Sequence, residues 1–581
     1  MTKAKKHFFF TILLLTSFLL NAQEALKSIE EEYYDFLSLT GVVERPTLGY
    51  RTLSDNVWTF NEIETFEENE DGTFTKVRTP GEESVKHLWK NNNLGTTYTL
   101  WEPAAPADNW FTRGLKQGIT ARIYGPEWFN SYNSAAPYGQ NDGGLWQGRG
   151  YNTALSAGLR LEGYGFEFTF KPQISWSQNK EFEYIQPNYS GEAFKDKADT
   201  YGYYGVPSID APQRFGGTSF WNYDWGDTEL RYSWKTFTVG FGTQAIWLGP
   251  AKLNPILHSN NASSYPKFDI GLRKTRIFIP CLEWDLGYIE ARTWVGYLSE
   301  SEFFDNNDSN NHNMINGFFM AYTPPILSGL TLGISKITLS KWKNDDNYLK
   351  YFNPFHSENT GVGTSIGDDQ KASFFISILL PKAAIELYGE LGIDDYTPNG
   401  IKGFTLYPFD TMIFTIGFSK VIDLIKNNNY SAKFLFEWNC FEKNAHRSAG
   451  NSNYTFYSHG QIAQGYTNNG QWLGAGNGTG INSQLLSLEI YYPKGTSLIK
   501  LQRCNVDNDY AYLKWNVENK YCYKTNLVIN ILSSYFIKEN TIFTVGFTWD
   551  CIMNPKYDNI LETGILYNHN FQFQFVYSTN F

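Results

Sequence analysis

The stretch NHNFQFQFVYSTNF constrains the fold more than any other part of the sequence, because its side chains alternate in type. One set of positions is mostly aromatic and the other mostly polar: Phe571, Phe573, Phe575, Tyr577, Thr579 and Phe581 alternate with Gln572, Gln574, Val576, Ser578 and Asn580. A β-strand has a side-chain period of two, so this segment predicts a strand with one aromatic and one polar face. Such a strand is typical of a barrel wall with lipid outside and water inside, although soluble β-sandwiches also contain alternating strands.

The opposite end of the sequence predicts export. A basic start, MTKAKK, precedes an apolar run over residues 8–20, and Asn21, Ala22 and Gln23 follow it. The run is too short to cross a bilayer core of about 30 Å as a helix. We therefore predict a signal peptide that is cleaved between Ala22 and Gln23, with an uncleaved membrane anchor as the alternative.

The composition separates a membrane barrel from a helical membrane protein. Mean hydropathy is −0.40, and no apolar stretch after Leu20 is long enough to form a spanning helix. Aromatic residues make up 17% of the chain, and 50 glycines accompany them, which suits aromatic girdles and glycine-tolerant strands. The net charge of −11 argues against a nucleic-acid partner, because such a partner requires a basic face.

The cysteines do not indicate a metal site. There are five of them, scattered without a CxxC spacing: Cys281, Cys440, Cys504, Cys522 and Cys551. An odd count leaves at least one unpaired, and we expect neither a metal nor another cofactor.

Three parts can be distinguished along the chain. Residues 1–22 are the predicted signal peptide, and residues 23–117 are expected to form a periplasmic segment. This segment begins with one amphipathic helix that Gly41 ends, and the acidic residues 59–93 predict a periplasmic loop or small ribbon. Residues 118–581 predict an all-β fold, a transmembrane outer-membrane β-barrel of about 18 antiparallel strands at about 25 residues per strand and turn.

The clearest internal strand pattern lies in GFEFTFKPQI. Phe166, Phe168, Phe170 and Ile174 fall on one face, and Glu167, Thr169, Lys171 and Gln173 fall on the other. Elsewhere the charges also recur on the presumed inner face, as they do for Arg160, Glu162, Glu290, Arg292, Glu386 and Glu390. The pattern therefore predicts a charged lumen behind an apolar outer wall.

Four separated blocks resemble, in order, the Wzi capsule-assembly family of outer-membrane proteins. The blocks are NDGGLWQGRGYNTALSAGLRLEG (141–163), FTVGFGTQAIWLGPAKLNPILHSNNASSYPKFDIGLRK (237–274), DDQKASFFISILLPKAAIELYGELGIDD (368–395) and YSHGQIAQGYTNNGQWLGAGNGTGINSQ (457–484). The helix with LTGVVERP is also similar to the family's N-terminal part. Leu248, Ala251 and the acidic stretch before Asn93 depart from the family pattern.

The resemblance implies a barrel of about 18 strands with a periplasmic helical portion, in the outer membrane of a Gram-negative bacterium. It implies a non-catalytic surface lectin that binds and retains capsular or other exported polysaccharide. The expected partners are capsular polysaccharide or exopolysaccharide, outer-membrane lipid and the barrel-assembly machinery, and we expect a monomer.

The candidate binding residues are aromatic, amide and charged side chains in these blocks: Asn141, Asp142, Trp146, Arg149, Trp247, Asn260, Asn261, Tyr457, His459, Gln464, Tyr466 and Asn468. Aromatic faces can pack on the C–H surfaces of sugars, while amides and carboxylates can bind hydroxyls. The segment FWNYDWGD, with Trp221, Tyr223, Asp224 and Trp225, predicts a second candidate surface on an exposed aromatic loop. Packing of inward-folded loops is the alternative role for the block residues, and mutual pairing is the alternative to a sugar path for the charged inner face.

Three other functions stay open. A sugar porin or channel would need an open lumen, whereas large Asn- and Gly-rich inward loops favour occlusion. A structural barrel in a surface motility or adhesion apparatus would share the overall pattern. An enzyme would need a catalytic group, and Ser458 beside His459 is adjacency in sequence only, because neighbouring strand residues point to opposite faces.

Overall fold

The computed structural model describes residues 28–68, 74–85, 96–187, 192–194, 196–342, 352–353, 367–394, 405, 412–425, 430–442, 455–515, 520–538 and 540–579. The predicted cleavage site at Ala22 and Gln23 and the aromatic Phe581 lie outside the described residues. The described α-helices are Ile29–Leu39, Gly81–Ser84, Asp196–Tyr201, Asn508–Trp515 and Ile560–Thr563. Short 3₁₀ turns occur at Pro325–Leu327, Pro381–Ala383 and Lys520–Cys522. No described helix combines the length and the apolarity needed to cross a bilayer.

Strands make up most of the described chain. The N-terminal segment contains β1 (Val43–Glu44), β2 (Tyr50–Arg51), β3 (Thr59–Phe60), β4 (Glu62–Glu68), β5 (Phe74–Pro80) and β6 (Thr96–Trp101). The remainder contains β7 (Ile119–Asn133), β8 (Gly150–Gly163), β9 (Phe166–Phe170), β10 (Gln173–Ser177), β11 (Phe220–Asp224), β12 (Glu229–Trp234), β13 (Phe237–Gly242), β14 (Trp247–Leu248), β15 (Lys267–Ile279), β16 (Trp284–Ser299), β17 (His312–Thr323), β18 (Leu330–Lys341), β19 (Asp369–Leu380), β20 (Ile385–Asp394), β21 (Met412–Ile425), β22 (Tyr430–Cys440), β23 (Thr467–Asn468), β24 (Gln471–Trp472), β25 (Asn482–Tyr492), β26 (Gly495–Val506), β27 (Lys524–Lys538), β28 (Thr541–Met553) and β29 (Tyr567–Thr579).

The large sheet closes into an antiparallel barrel of 18 strands, as the sequence predicted. Closure occurs where β29 pairs with β7 in antiparallel register. β9 and β10 are two halves of one interrupted strand, because both pair with β8. β11 and β12 likewise form one interrupted strand, because they pair with β10 and β9 respectively.

The two ends of the barrel differ in the length of their connections. Tight turns at 164–165, 235–236 and 493–494 join strands at one end, whereas the loops 134–149, 178–219 and 243–266 lie at the other. Outer-membrane barrels have short periplasmic turns and long extracellular loops. The long loops therefore mark the cell-surface end.

The barrel wall alternates as the sequence predicted. In β9, Phe166 and Phe168 are 58% and 41% exposed, whereas Thr169 between its aromatic neighbours is buried. In β29, Phe571 and Phe573 are exposed while Gln572 is 2% exposed. The aromatic faces therefore point outward, where lipid replaces water, and the polar faces point into the lumen.

The N-terminal helix, Ile29–Leu39, packs against the barrel wall at the periplasmic mouth. The Ser28 side chain caps its first turn by accepting from the amide of Glu31, and Gly41 follows its end with φ +77°. Phe36 stacks on Tyr491 of β25 with ring centroids 4.0 Å apart. The helix confirms the sequence prediction, and the predicted ribbon is the hairpin of β4 and β5.

Part of the predicted periplasmic segment lies inside the barrel instead. β2 pairs with β14, so Tyr50 and Arg51 add a strand to the loop 243–266 within the lumen. Glu290 of the wall accepts from the backbone amides of Leu48 (2.6 Å) and Gly49 (3.1 Å). Sequence patterns did not indicate this insertion into the lumen, because an irregular segment has no side-chain periodicity that shows which residues are buried.

The charged inner face is a mutually paired network. Arg231 contacts Glu229 and Asp269 at 2.6 Å each, and Arg292 contacts Asp269 at 2.7 Å. Asp55, from the inserted N-terminal segment, joins Arg292 at 3.0 Å. Burial alone would raise the pKa of Asp55, but the neighbouring guanidinium groups hold that pKa well below its usual value. Of the two alternatives for these charges, the geometry favours pairing over a sugar path.

A hydrophobic cluster fills the lumen above this network. It combines wall residues, including Trp294, Phe319 and Phe375, with loop residues, including Ile256 and Leu473. The loops 243–266 and 455–481, which we call the plug, thus fold inward and pack against the wall inside the barrel.

Candidate functional site

Three aromatic candidates from the resemblance blocks are fully buried in the plug. Trp247, Tyr457 and Tyr466 are each 0% exposed. The Trp247 indole donates to the carbonyl of Ala251 (2.9 Å), and the Tyr457 ring stacks on Tyr466 with centroids 5.4 Å apart. These side chains hold the plug together, and none of them presents a face to a saccharide in this structure.

The amide candidates also join plug segments. Gln464 donates to the carbonyl of Ser299 (3.0 Å), and Asn468 donates to the carbonyl of Ser263 (3.0 Å). Asn261 donates to the carbonyl of Trp472 (3.1 Å), and the Asn260 carbonyl accepts from the amide of Gly143 (2.8 Å). Through these hydrogen bonds, the inward-folded loops pair one another's buried polar groups.

The remaining polar candidates support loops. Arg149 donates to the carbonyls of Ser134 (3.1 Å) and Glu181 (2.5 Å), which joins two extracellular loops. The Nδ1 of His459 accepts from the amide of Ile462 (3.2 Å), while Ser458 donates to the carbonyl of Thr455 (2.9 Å).

Asn141 and Asp142 also belong to these loop contacts. Asn141 donates from its side chain to the carbonyl of Leu253 (3.0 Å), and the Asp142 carboxyl accepts from Gln147 (2.7 Å). Burial raises the pKa of Asp142 to about 7.

Most of the segment FWNYDWGD forms a strand, and only Trp225–Asp227 lie in the interruption between β11 and β12. Phe220–Asp224 is strand β11, and Trp221 pairs with Trp176 of β10 across the outer wall. Trp221 is 67% exposed on that outer side, and Tyr223 follows it on the same face. An outward aromatic near the end of a barrel strand is typical of a girdle at the membrane interface, so the prediction of a loop was wrong for Phe220–Asp224. The residues alternate with period two, which is the signal that could have revealed the strand.

A cleft of about 690 Å³ opens among the extracellular loops beside β11. Its lining brings together the loops 134–149, 178–219 and 300–311 with the tips of the plug. The side chains that matter most are Trp146, Lys197, Tyr201, Phe215, Phe220, Asn222, Asp224, Trp225, Glu300, Glu302, Phe303 and Gln471. Of the predicted residues, Trp146, Tyr223, Asp224 and Trp225 line this cleft.

Aromatic rings form one continuous side of the cleft. Phe215 lies at its centre, with ring centroids 5.1 Å from Trp146 and 5.7 Å from Phe303. Tyr201 extends the series at 6.2 Å from Phe303. All four rings are half-buried, and their mutual contacts are edge-to-face. Lys197 lies 5.1 Å from the centre of the Phe303 ring, and Arg214 lies 5.7 Å from the centre of the Tyr201 ring, so cations also hold this series in place.

Polar groups face these rings from β11 and from the plug. Asp224 accepts from the amide (2.9 Å) and the hydroxyl of Ser264, and Asn222 donates to the carbonyl of Gly144. Gln471 donates to the carbonyl of Gly143 (2.9 Å). An apolar pocket with a few placed polar groups is the usual form of a small-molecule site.

Sequence patterns do not indicate Tyr201, Phe215 and Phe303 as site residues. None of them lies in a resemblance block, and single aromatics in long loops have no periodicity. The available signal was their place in the extracellular loops 178–219 and 300–311, where aromatics have no lipid to face.

Comparison with known proteins places this chain among outer-membrane barrels. The family described as "Capsule assembly protein Wzi" matches residues 134–554. A comparison with curated protein sequences gave no match. Among solved structures, Escherichia coli Wzi aligns with a TM-score of 0.54 and 12% identity, over 96% of this chain and 98% of that chain. It is described as an outer-membrane protein involved in group 1 capsule assembly and as a carbohydrate-binding β-barrel.

Two other barrels align less well. OccAB1 of Acinetobacter baumannii aligns with a TM-score of 0.35 and 10% identity, over 79% of this chain and 96% of its own. A BenF-like porin from Pseudomonas fluorescens aligns with a TM-score of 0.34 and 10% identity, over 80% of this chain and 99% of its own. The family match spans most of the chain, and the barrel has the apolar outer wall of an outer-membrane protein. The chain therefore belongs to the Wzi family of capsule assembly proteins.

Proposed function

We propose that this barrel holds polysaccharide at the cell surface and that the extracellular cleft beside β11 is its saccharide site. The observation that carries the proposal is the half-buried series of Trp146, Phe215, Phe303 and Tyr201, which faces the polar groups of β11 across the cleft. The carbohydrate binding described for Escherichia coli Wzi supports the same role for this chain.

The chemistry of the cleft suits sugar rings. A pyranose presents C–H groups on one face and hydroxyls at its edges. Aromatic faces can pack against the former, while the carboxylate of Asp224 and the amide of Gln471 can bind the latter. A volume of about 690 Å³ holds a short oligosaccharide, so a long polymer would be gripped at one segment while the rest extends from the surface.

Binding of short oligosaccharides by the folded protein in detergent tests this proposal. The probes are oligosaccharides cut from the producing cell's own surface polysaccharide, because multivalency along an intact polymer can mask a weakened site. Phe303→Ala and Phe215→Ala should each weaken binding roughly two- to tenfold, by analogy with aromatic pairs worth about 0.5–1.5 kcal/mol.

Trp221→Ala is the matched control. Trp221 is an exposed aromatic at the same end of the barrel, but it points outward from the wall. Its replacement should leave oligosaccharide affinity unchanged. If Phe215→Ala and Phe303→Ala fold, reach the surface and bind as tightly as the Trp221→Ala control, the cleft is not the saccharide site.

A further inference from the structure

The chain around β6 and β7 covers the seam where the barrel closes. β8 pairs along one edge of β7, and β29 pairs with the other edge only over residues 127–133. β6 pairs with residues 119–123 on that same edge. β6 therefore covers the part of β7 that extends toward the periplasm beyond the end of β29, so this part of the edge is not left open.

Residues 102–118, which we call the rim strap, connect β6 to β7 and cross two periplasmic turns. The carbonyl of Lys116 accepts from the amide of Tyr164 (2.8 Å) in the turn between β8 and β9. The carbonyl of Phe111 accepts from the indole of Trp234 (3.2 Å) at the end of β12. The rim strap thus extends along the periplasmic rim from β7 to β12, and these hydrogen bonds fix it there.

The rim strap lies on the outer side of that rim. In β12, Arg231 is buried and faces the lumen, whereas Leu230 is exposed on the outer face that Trp234 shares. The Trp110 ring meets the Trp234 ring edge-on, with centroids 4.8 Å apart, and the Phe111 ring lies parallel to it at 6.5 Å. Both strap aromatics therefore pack on the side of the wall that faces lipid.

The apolar surface of the rim strap continues the outer wall. Trp110 is 69% exposed and Phe111 is 52% exposed, and Trp101 at the end of β6 is exposed as well. Phe237 of the outer wall pairs in register with Trp234 and is also exposed, so the strap aromatics adjoin the lipid-contacting surface. Apolar patches are unfavourable in water, and aromatic side chains are enriched where a membrane meets water. This continuity identifies lipid as the partner of the patch.

The charges of the rim strap balance. It contains two carboxylates and two cations, and Arg113 pairs with Asp108 at 3.2 Å while Lys116 pairs with Glu162 of β8 at 3.2 Å. Lys235, in the turn after β12, lies 5.1 Å from the centre of the Trp110 ring. A lysine beside interfacial aromatics can keep its ammonium at the polar boundary while its stem packs on apolar surface.

We propose that the rim strap anchors the barrel to phospholipid of the periplasmic leaflet, with Trp110 and Phe111 inserted among the headgroups and Lys235 beside a phosphate. Aromatic insertion supplies the affinity, because the strap carries no net charge, so zwitterionic phospholipid is sufficient. The contact holds β6 on β7 and protects the seam where β29 ends. It is independent of the saccharide site at the opposite end of the barrel.

Photo-crosslinking of the full protein in phosphatidylcholine vesicles tests the contact. p-Benzoylphenylalanine is placed at Trp110, whose exposure makes the change compatible with folding, and lipid adducts are measured by mass spectrometry. The yield should lie within about threefold of that at Phe241, an outward wall position, and on the order of tenfold above that at Asp308, an exposed position in an extracellular loop. Replacing about a third of the lipid with phosphatidylglycerol should change the yield by less than about twofold, because the strap has no net charge.

Amide hydrogen exchange in the same vesicles gives a second readout. Trp110→Ala with Phe111→Ala should accelerate exchange over β6 on the order of tenfold, because the strap no longer holds this strand on β7. Trp221→Ala removes an outward aromatic at the extracellular end and should leave exchange over β6 unchanged.

Two results would overturn the proposal in vesicles: a lipid-adduct yield at position 110 no higher than at Asp308, or unchanged exchange over β6 in the double variant. In intact cells, a protein adduct at position 110 in place of the lipid adduct would also overturn it, because the strap would then be a docking surface for a periplasmic protein.

Discussion

Removing Arg45 should release the N-terminal helix from the periplasmic mouth of the barrel. The Arg45 guanidinium donates to both carboxylate oxygens of Glu386 on β20, and the distance from Arg45 Nη2 to Glu386 Oε2 is 2.8 Å. It also contacts Asp35 of the helix at 2.8 Å and donates to the Ser38 hydroxyl at 3.0 Å. One side chain thus joins the helix to the wall.

The expected magnitude follows from the charges that remain. Removing one member of a buried ion pair typically costs about 3–5 kcal/mol, because the partner is left uncompensated. Here Lys252 still contacts Asp35 at 2.8 Å and Glu386 at 3.3 Å, so we expect about 2–3 kcal/mol for Arg45→Met. Opening of the helix should become roughly 30- to 150-fold more frequent.

Amide hydrogen exchange in detergent measures that opening. Exchange should accelerate over Ile29–Leu39 while the strands of the wall stay protected. Arg113→Met is the matched control, because the Arg113 pair with Asp108 is exposed and should not affect the helix. Unchanged helix exchange in Arg45→Met, or an equal acceleration in the wall, would refute the reasoning.

Three further predictions concern the plug and its supports. The wild-type protein should give no steady conductance in planar bilayers, whereas the double variant Trp247→Ala with Tyr466→Ala should give channel openings. Each change removes a fully buried aromatic side chain from the plug, which typically lowers stability by about 3–5 kcal/mol. Gly417→Ala should lower the yield of folded, heat-modifiable protein, because a Cβ at this position would lie 1.9 Å from the Tyr388 ring. The hydroxyl of that ring donates to Glu437 beneath the plug. Gly460→Ala is the control, because no atom lies within 4 Å of a Cβ at that position. The pKa of Asp142 is about 7 in the folded state against about 4 for an ordinary Asp, so its contribution to stability is complete below pH 4 and is lost as pH rises through 7. The thermal midpoint should therefore fall between pH 5 and pH 8 more in wild type than in Asp142→Asn, and equal falls would contradict this assignment.

Regular elements could be predicted from the sequence because a local period determines them. Phe166 and Glu167 alternate in the sequence and lie on opposite sides of the wall. The helix over Ile29–Leu39 was likewise set by local spacing and by its flanking Ser28 and Gly41. In each case the elements needed only their own residues to specify which face is apolar.

The candidate site could not be predicted in the same way, because non-local contacts decide which loop aromatics are buried. Trp247 and Trp146 both lie in resemblance blocks, and composition does not distinguish them. Trp247 is buried because Arg51, from the inserted N-terminal segment, lies 5.5 Å from the centre of its ring and because β2 pairs with β14. Trp146 stays half-buried at the cleft, where Phe215, from a different loop, makes an edge-to-face contact with it at 5.1 Å.

The most direct test of the account is a structure of the protein with an oligosaccharide from its own cell surface bound. We expect sugar rings in the cleft beside β11, packed against Phe215 and Phe303, with the plug and the paired lumen charges unchanged. A saccharide bound within the lumen, with the loops 243–266 or 455–481 displaced and the cleft empty, would contradict the account and would indicate a translocation path instead.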